Sequence, residues 1–203
     1  MDISGKNNHF VINPRAFKQD RSVKYMDFRG MNGIAIKMDN GEVPFSKETD
    51  IFIVTRVLEK GNDWRTMFRA KNPQFGDHQA VINKGTDDLG FYEGSKNRFY
   101  SFEKPQKLDV SKGPDYFSKF QLFNFQFLRN TNNESTLRLN CPSGLFSIEN
   151  SSEIRFDQGI NAIGGFQIGP SQFWGDIAVV IVYKELVGEA ERDLIKQYLG
   201  SRF

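Results

Sequence analysis

One apolar run near the C-terminus, Ile177-Ala178-Val179-Val180-Ile181-Val182-Tyr183, limits what this chain can fold into. It is rich in β-branched residues and interrupted by no charge, the pattern of a strand covered on both faces. A short turn follows. Residues 189–199 then space Ala190, Leu194, Ile195, Tyr198 and Leu199 at helical intervals, which predicts one short amphipathic helix with these five on its inner face. Everything before this strand and helix reads as β-structure.

The β-reading rests on alternation and punctuation. Val23 to Phe28 and Gly33 to Met38 alternate apolar with polar residues and are separated by Arg29-Gly30 and Asn32-Gly33, which predicts a hairpin. Asp50 to Leu58 predicts a central strand. Further strands are expected over Trp64 to Ala70, Gln79 to Asn83, Leu89 to Tyr92, Arg98 to Phe102, Phe117 to Arg129, Thr136 to Asn140 and Gly144 to Ile148. About a dozen short strands with turn signals at regular spacing indicate an all-β, antiparallel two-sheet sandwich with a single C-terminal helix. The 20 phenylalanines, against six Tyr and two Trp, supply its core volume. A chain of 203 residues without a repeat or long linker suits one domain over residues 1–203.

Charge and composition narrow the function classes. With 27 Lys plus Arg against 25 Asp plus Glu, the chain carries no basic stripe that would serve nucleic acid. No apolar stretch reaches the roughly 20 residues of a membrane-spanning helix, so no membrane insertion is expected. Met1 to His9 is polar and has no signal-peptide core, so a protein acting outside a cell would leave by another route, or its signal has been cut off or sits upstream. Cys141 is the one cysteine, which rules out an intrachain disulfide and a thiolate metal cage. The triplets Asn133-Glu134-Ser135 and Asn150-Ser151-Ser152 match the glycosylation pattern but carry little weight without an export signal.

Three stretches resemble the laminin-G-like branch of the concanavalin A-like lectin/glucanase jelly rolls. Asp2-Ile3-Ser4-Gly5-Lys6-Asn7-Asn8-His9 is similar to the opening of these modules, and Tyr25-Met26-Asp27-Phe28 with Asn32-Gly33 to their early hairpin. Phe173-Trp174-Gly175-Asp176-Ile177 through Tyr183, followed by Leu186 and the helix to Leu199, resembles their closing strand and helix. The middle of the chain, Trp64 to Arg69 with Gly76-Asp77-His78 and Leu89 to Tyr92, is similar to laminin-G-like modules in proteins of large DNA viruses and marine phages. The resemblance implies a jelly roll and a structural or attachment protein of a virion or other extracellular surface. Its partners would be the protein subunits of that assembly, together with cell-surface glycans.

The glucanases of the superfamily carry an E-x-D-x-x-E arrangement on one strand, and a retaining mechanism needs its two carboxyl groups about 5 Å apart. That arrangement is absent. Asp87 and Asp88 are adjacent and would point to opposite faces of a strand. Glu153 and Asp157 would stand roughly 13 Å apart at about 3.3 Å per residue. Two histidines, His9 and His78, and no nucleophile elbow leave no Ser-His-Asp set. The chain is therefore expected to be non-catalytic, with a dedicated lectin as the alternative and a polysaccharide-active enzyme as a more distant one.

The candidate glycan site is Trp64, Arg65, Arg69, Asp77 and His78: an aromatic platform for the apolar face of a sugar, beside groups that hydrogen-bond its hydroxyls. The plainer reading of the same residues has Trp64 in the core, Arg69 paired with Asp77, and His78 capping a turn. Trp174 and Asp176 are expected to pin the last strand, the aspartate as a hydrogen-bond acceptor. No cofactor is expected. Relatives often bind Ca²⁺ at a sandwich rim, and Asp2, Asn7, Asn8, Asp87 and Asp88 are the oxygen donors that such a site could use.

Overall fold

A computed structural model of the chain describes residues 10–11, 13–29, 35–37, 48–57, 65–72, 76–82, 89–94, 97–101, 119–129, 135–142, 144–150, 160–165, 173 and 175–203. These residues form fourteen strands and one α-helix. One sheet joins β1 (Phe10–Val11), β4 (Ala35–Lys37), β13 (Ile160–Ile163), β6 (Arg65–Asn72), β7 (Gly76–Ile82), β8 (Leu89–Glu93) and β9 (Arg98–Ser101), in that order. The other joins β12 (Gly144–Asn150), β11 (Ser135–Cys141), β10 (Gln121–Arg129), β5 (Thr49–Val57), β14 (Gly175–Tyr183), β3 (Val23–Asp27) and β2 (Phe17–Asp20). All pairings between neighbouring strands are antiparallel. The chain is an all-β jelly-roll sandwich closed by α1 (Glu189–Gly200).

Alternation decides which residues meet between the sheets. Phe123, Phe125 and Phe127 on β10 and Leu137, Leu139 and Cys141 on β11 point inward, where they join Met67, Phe68 and Phe91 of the facing sheet. Phe68 meets Phe125 edge-on with ring centroids 5.3 Å apart, and Phe91 meets Phe127 at 5.7 Å. Such tilted contacts satisfy the ring quadrupoles while filling the core. Seven of the largest fully buried side chains besides the aliphatic ones are phenylalanine or methionine: Phe28, Phe52, Phe68, Phe91, Phe125, Phe173 and Met67. Among the described residues most phenylalanines are thus core, with Phe17 and Phe203 exposed.

The opposite face of the second sheet has its own apolar layer. Phe52 and Val54 of β5, with Leu122, Val179, Ile181 and Tyr183, pack under Val187, Ile195 and Leu199 at the helix. This second layer is why β14 reads as a strand covered on both faces. A bulge between Ile177 and Val179 changes its alternation midway.

Two expectations fail in instructive ways. Val23–Asp27 and Ala35–Lys37 do not form a hairpin: β3 pairs with β2 and β14, whereas β4 pairs with β1 and β13 in the other sheet. Turn signals mark where a strand stops but do not say which sheet takes the next one. The helix also shows a different face from the one expected. Leu199 is buried and Ile195 half-buried, but Leu194 and Tyr198 are 66% and 53% exposed, and Ala190 is exposed. The inner stripe is Arg192, Ile195 and Leu199, rotated toward a buried charge on the sheet.

Candidate functional site

Register places three of the expected glycan residues on neighbouring strands. Arg69 of β6 stands opposite Gln79 of β7, two register positions from Asp77 and one from His78, which pair with Lys71 and Ala70. Arg65 pairs with Ile82 at the far end of the same two strands, about 20 Å along β6 from Lys71. Both arginines are half-buried. Trp64, Trp174, the side chains of Asp77 and His78, and the calcium candidates Asp2, Asn7, Asn8, Asp87 and Asp88 lie outside the described residues. Among the described residues no group of three or more His, Cys, Asp or Glu side chains is placed to hold a metal.

Two polar clusters that the sequence does not announce lie on the helix-bearing face. At one end of β5, Asp50 is fully buried. Its Oδ1 accepts a hydrogen bond from Asn124 Nδ2 at 2.6 Å, and its Oδ2 accepts from the Val187 backbone N–H at 3.1 Å and from Gln126 Nε2 and Arg192 Nη2 at 3.3 Å. Arg192 also donates to the Val187 carbonyl. A carboxylate here ties the start of the helix to the sheet and sits at the positive end of the helix dipole.

At the other end of β5, Arg56 stands opposite Asp176 of β14, which stands opposite Asp27 of β3. Arg56 Nε donates to Asp176 Oδ2 at 2.8 Å. Asp27 accepts from the Arg29 backbone N–H at 2.9 Å, from Arg29 Nε at 2.8 Å and from Arg29 Nη2 at 2.9 Å. The Arg56 guanidinium lies 5.2 Å from the Tyr25 ring centroid and 4.7 Å from that of Phe120, and Phe203 meets Phe120 at 6.0 Å. Burial pushes the Asp176 carboxyl above its ordinary range, and Arg56 recovers only part of that cost. For Asp27, burial acts in the same direction, but the hydrogen bonds and charge of Arg29, helped by Lys18, outweigh it and hold the carboxyl below its ordinary range.

Asp27 and Asp176 are therefore two carboxylates in register, which no local motif could reveal because 149 positions separate them in the sequence, from 27 to 176. Their environment is not that of a hydrolytic pair. Both are buried, and each holds an arginine. Asp176 does serve as the acceptor expected of it.

No protein-family model and no curated protein matches this sequence. Solved structures do match by shape. The binding domain of botulinum neurotoxin DC, solved in complex with rat synaptotagmin II, aligns over 98% of this chain and 49% of its own, at 14% identity and a TM-score of 0.65. The botulinum neurotoxin serotype D ligand-binding domain, solved with N-acetylneuraminic acid, aligns over 97% of this chain and 47% of its own, at 13% identity and a TM-score of 0.62. A Trypanosoma rangeli sialidase in complex with the inhibitor DANA aligns over 87% of this chain and 27% of its own, at 11% identity and a TM-score of 0.54. The chain spans about half the length of the neurotoxin domains. At these identities the likeness is one of fold.

Proposed function

We propose that this chain is a single-domain, non-catalytic recognition module that binds saccharide on a partner surface and serves within a surface assembly such as a virion, in a minor-capsid, decoration or attachment role. The observation that carries the reading is that nearly the whole sandwich superposes on domains solved as binding domains, one of them holding N-acetylneuraminic acid and another a protein receptor. The burial and arginine pairing of Asp27 and Asp176 support the non-catalytic side, because a general acid or nucleophile must reach its substrate. The proposed saccharide site is Trp64, Arg65, Arg69, Asp77 and His78, of which Arg69, Asp77 and His78 hold neighbouring register positions on β6 and β7.

A glycan array read with the native chain and with Trp64→Ala and Arg69→Ala tests this. Specific binding that both substitutions weaken supports the reading. A blank array, with cross-linking of the chain only to protein subunits in its native assembly, overturns the saccharide part and leaves a packing role. Hydrolysis of any oligosaccharide by the purified chain overturns the non-catalytic part. Repeating the array with Ca²⁺ and with a chelator tests whether a metal takes part.

A further inference from the structure

Beyond β10, whose outer face packs toward the helix, β11 and β12 continue the same face of the sheet. Alternation puts Leu137, Leu139, Phe146 and Ile148 against the core, so Arg138 and Asn140 of β11 and Leu145 and Ser147 of β12 share the outer face. Arg138 stands opposite Ser147, and Asn140 opposite Leu145. Directly opposed side chains on a sheet begin about 5 Å apart, and next-but-one neighbours along a strand about 7 Å, so the four form a compact rectangle. Arg138 and Ser147 are exposed, Asn140 is half-buried, and Leu145 is 65% exposed. Among the described residues Arg138 makes no hydrogen bond or ion pair. β12 is the edge strand, so the rectangle opens to solvent on one side.

The neighbouring strand β10 adds a buried amide beside this rectangle. Asn124 of β10 stands opposite Asn140, and it is buried. Its Nδ2 is committed to Asp50 on the β5 side, yet its Oδ1 is buried without a hydrogen-bond partner. A planar amide whose nitrogen is fixed toward β5 turns its oxygen away from Asp50.

We infer that this rectangle is a binding subsite for a carboxylated sugar, on the sheet opposite the β6–β7 face. A single unpaired guanidinium matches one carboxylate as a bidentate pair. The Asn140 amide and the Ser147 hydroxyl can both donate to and accept from sugar hydroxyls. Leu145 offers an apolar surface for the C–H face of the ring. A phosphate or sulfate ligand calls for more than one cation, and Arg138 is the only cation of the four. The inference rests on the saccharide reading above but assigns it a separate place and a charge.

Titration of the full chain with N-acetylneuraminic acid and with its methyl ester, followed by calorimetry and ligand-observed NMR, tests the subsite. The acid is expected to bind, and the ester to bind about tenfold more weakly or worse, since a charge-assisted pair is lost. Arg138→Gln is expected to weaken acid binding by at least about tenfold with an unchanged unfolding midpoint, because the side chain is exposed, and Asn140→Ala to weaken it less. Trp64→Ala should leave this binding intact. Equal binding of acid and ester, or an Arg138→Gln chain that binds the acid like the native one, overturns the subsite. If the array shows a saccharide lost on Trp64→Ala while N-acetylneuraminic acid does not bind at all, the subsite fails and the proposed function stands. If no saccharide binds the native chain in either assay, both fail.

Discussion

Arg56 and Asp176 face each other across β5 and β14, with Arg56 Nε 2.8 Å from Asp176 Oδ2 and the second carboxylate oxygen buried without a partner. The pair is held under Tyr25 and Phe120, so the guanidinium has both a carboxylate and aromatic faces for company.

This geometry gives the acid side of the stability profile two opposite slopes. The native Asp176 carboxyl titrates above its ordinary value of 3.8, raised first by burial. The folded state therefore holds the proton longer than the unfolded state, and stability falls as pH rises from about that value through the native one. Asp27 titrates below 3.8 because Arg29 outweighs its burial, so its contribution is present above that pH and is lost as pH falls through the lower native value. Urea unfolding of Asp176→Asn should show a stability that gains on the native chain as pH is raised above about 4. Asp27→Asn should flatten the loss below about 4. Parallel profiles for all three chains would contradict the assignment.

The helix latch predicts an order of effects. Asp50→Ala leaves Asn124, Gln126, Arg192 and the Val187 N–H without their common acceptor, a buried loss of about 3–5 kcal/mol. Arg192→Ala removes one charged donor and leaves three other hydrogen bonds to Asp50, so it should cost about 1.5–3 kcal/mol. Denaturant midpoints would reveal a reversed order. Hydrogen exchange should show that α1 loosens first in both.

Gly164 predicts a backbone-limited site. Its φ of 81° lies in the left-handed region, its N–H donates to the Met67 carbonyl at 2.8 Å, and a Cβ added there would run into the Phe28 ring. Gly164→Ala should destabilise by several kcal/mol, from strain and overpacking together. Phe28→Leu in the same chain should relieve the clash but not the strain, so a double-mutant cycle should show a favourable coupling of about 1 kcal/mol or more. Additive effects would place the whole cost in the backbone.

Tyr183 sets the alkaline side. Burial, and then the negative charges of Glu191 and Asp50, raise its phenol above its ordinary value of 10.0. Its contribution to stability is complete below pH 10 and is lost as pH rises through the native value. Tyr183→Phe should remove that part of the alkaline decline, measured by thermal unfolding at stepped pH. An unchanged decline would locate the alkaline transition elsewhere.

Strand positions were legible where alternation and turn residues agreed. The 50–58, 89–92 and 98–102 segments fall within a residue of β5, β8 and β9, and the 136–140 and 144–148 segments are the β11–β12 hairpin. The division of β3 and β4 between the two sheets was not legible, because a strand end says nothing about the sheet to which the next strand goes. The helix face was misread because Leu194 and Tyr198 look more apolar than Arg192, and only the buried Asp50 makes an inward arginine favourable. Of the candidate glycan residues, Arg69, Asp77 and His78 hold neighbouring register positions and Arg65 lies at the far end of the same strands, a matter of strand pairing that residue types do not encode.

By itself the sequence determined the class of fold: a period of two, closed by turns, with enough phenylalanine to fill the space between two layers and one helical period at its end. That is local information, carried by neighbours a few positions apart. Tertiary structure decided which charges share a buried site, since Asp27, Arg56 and Asp176, or Asp50, Asn124 and Arg192, meet only when sheet order and register are set. The physical reason is that desolvated charges act over a few ångströms in space, whereas the chain separates these partners by tens of residues or more.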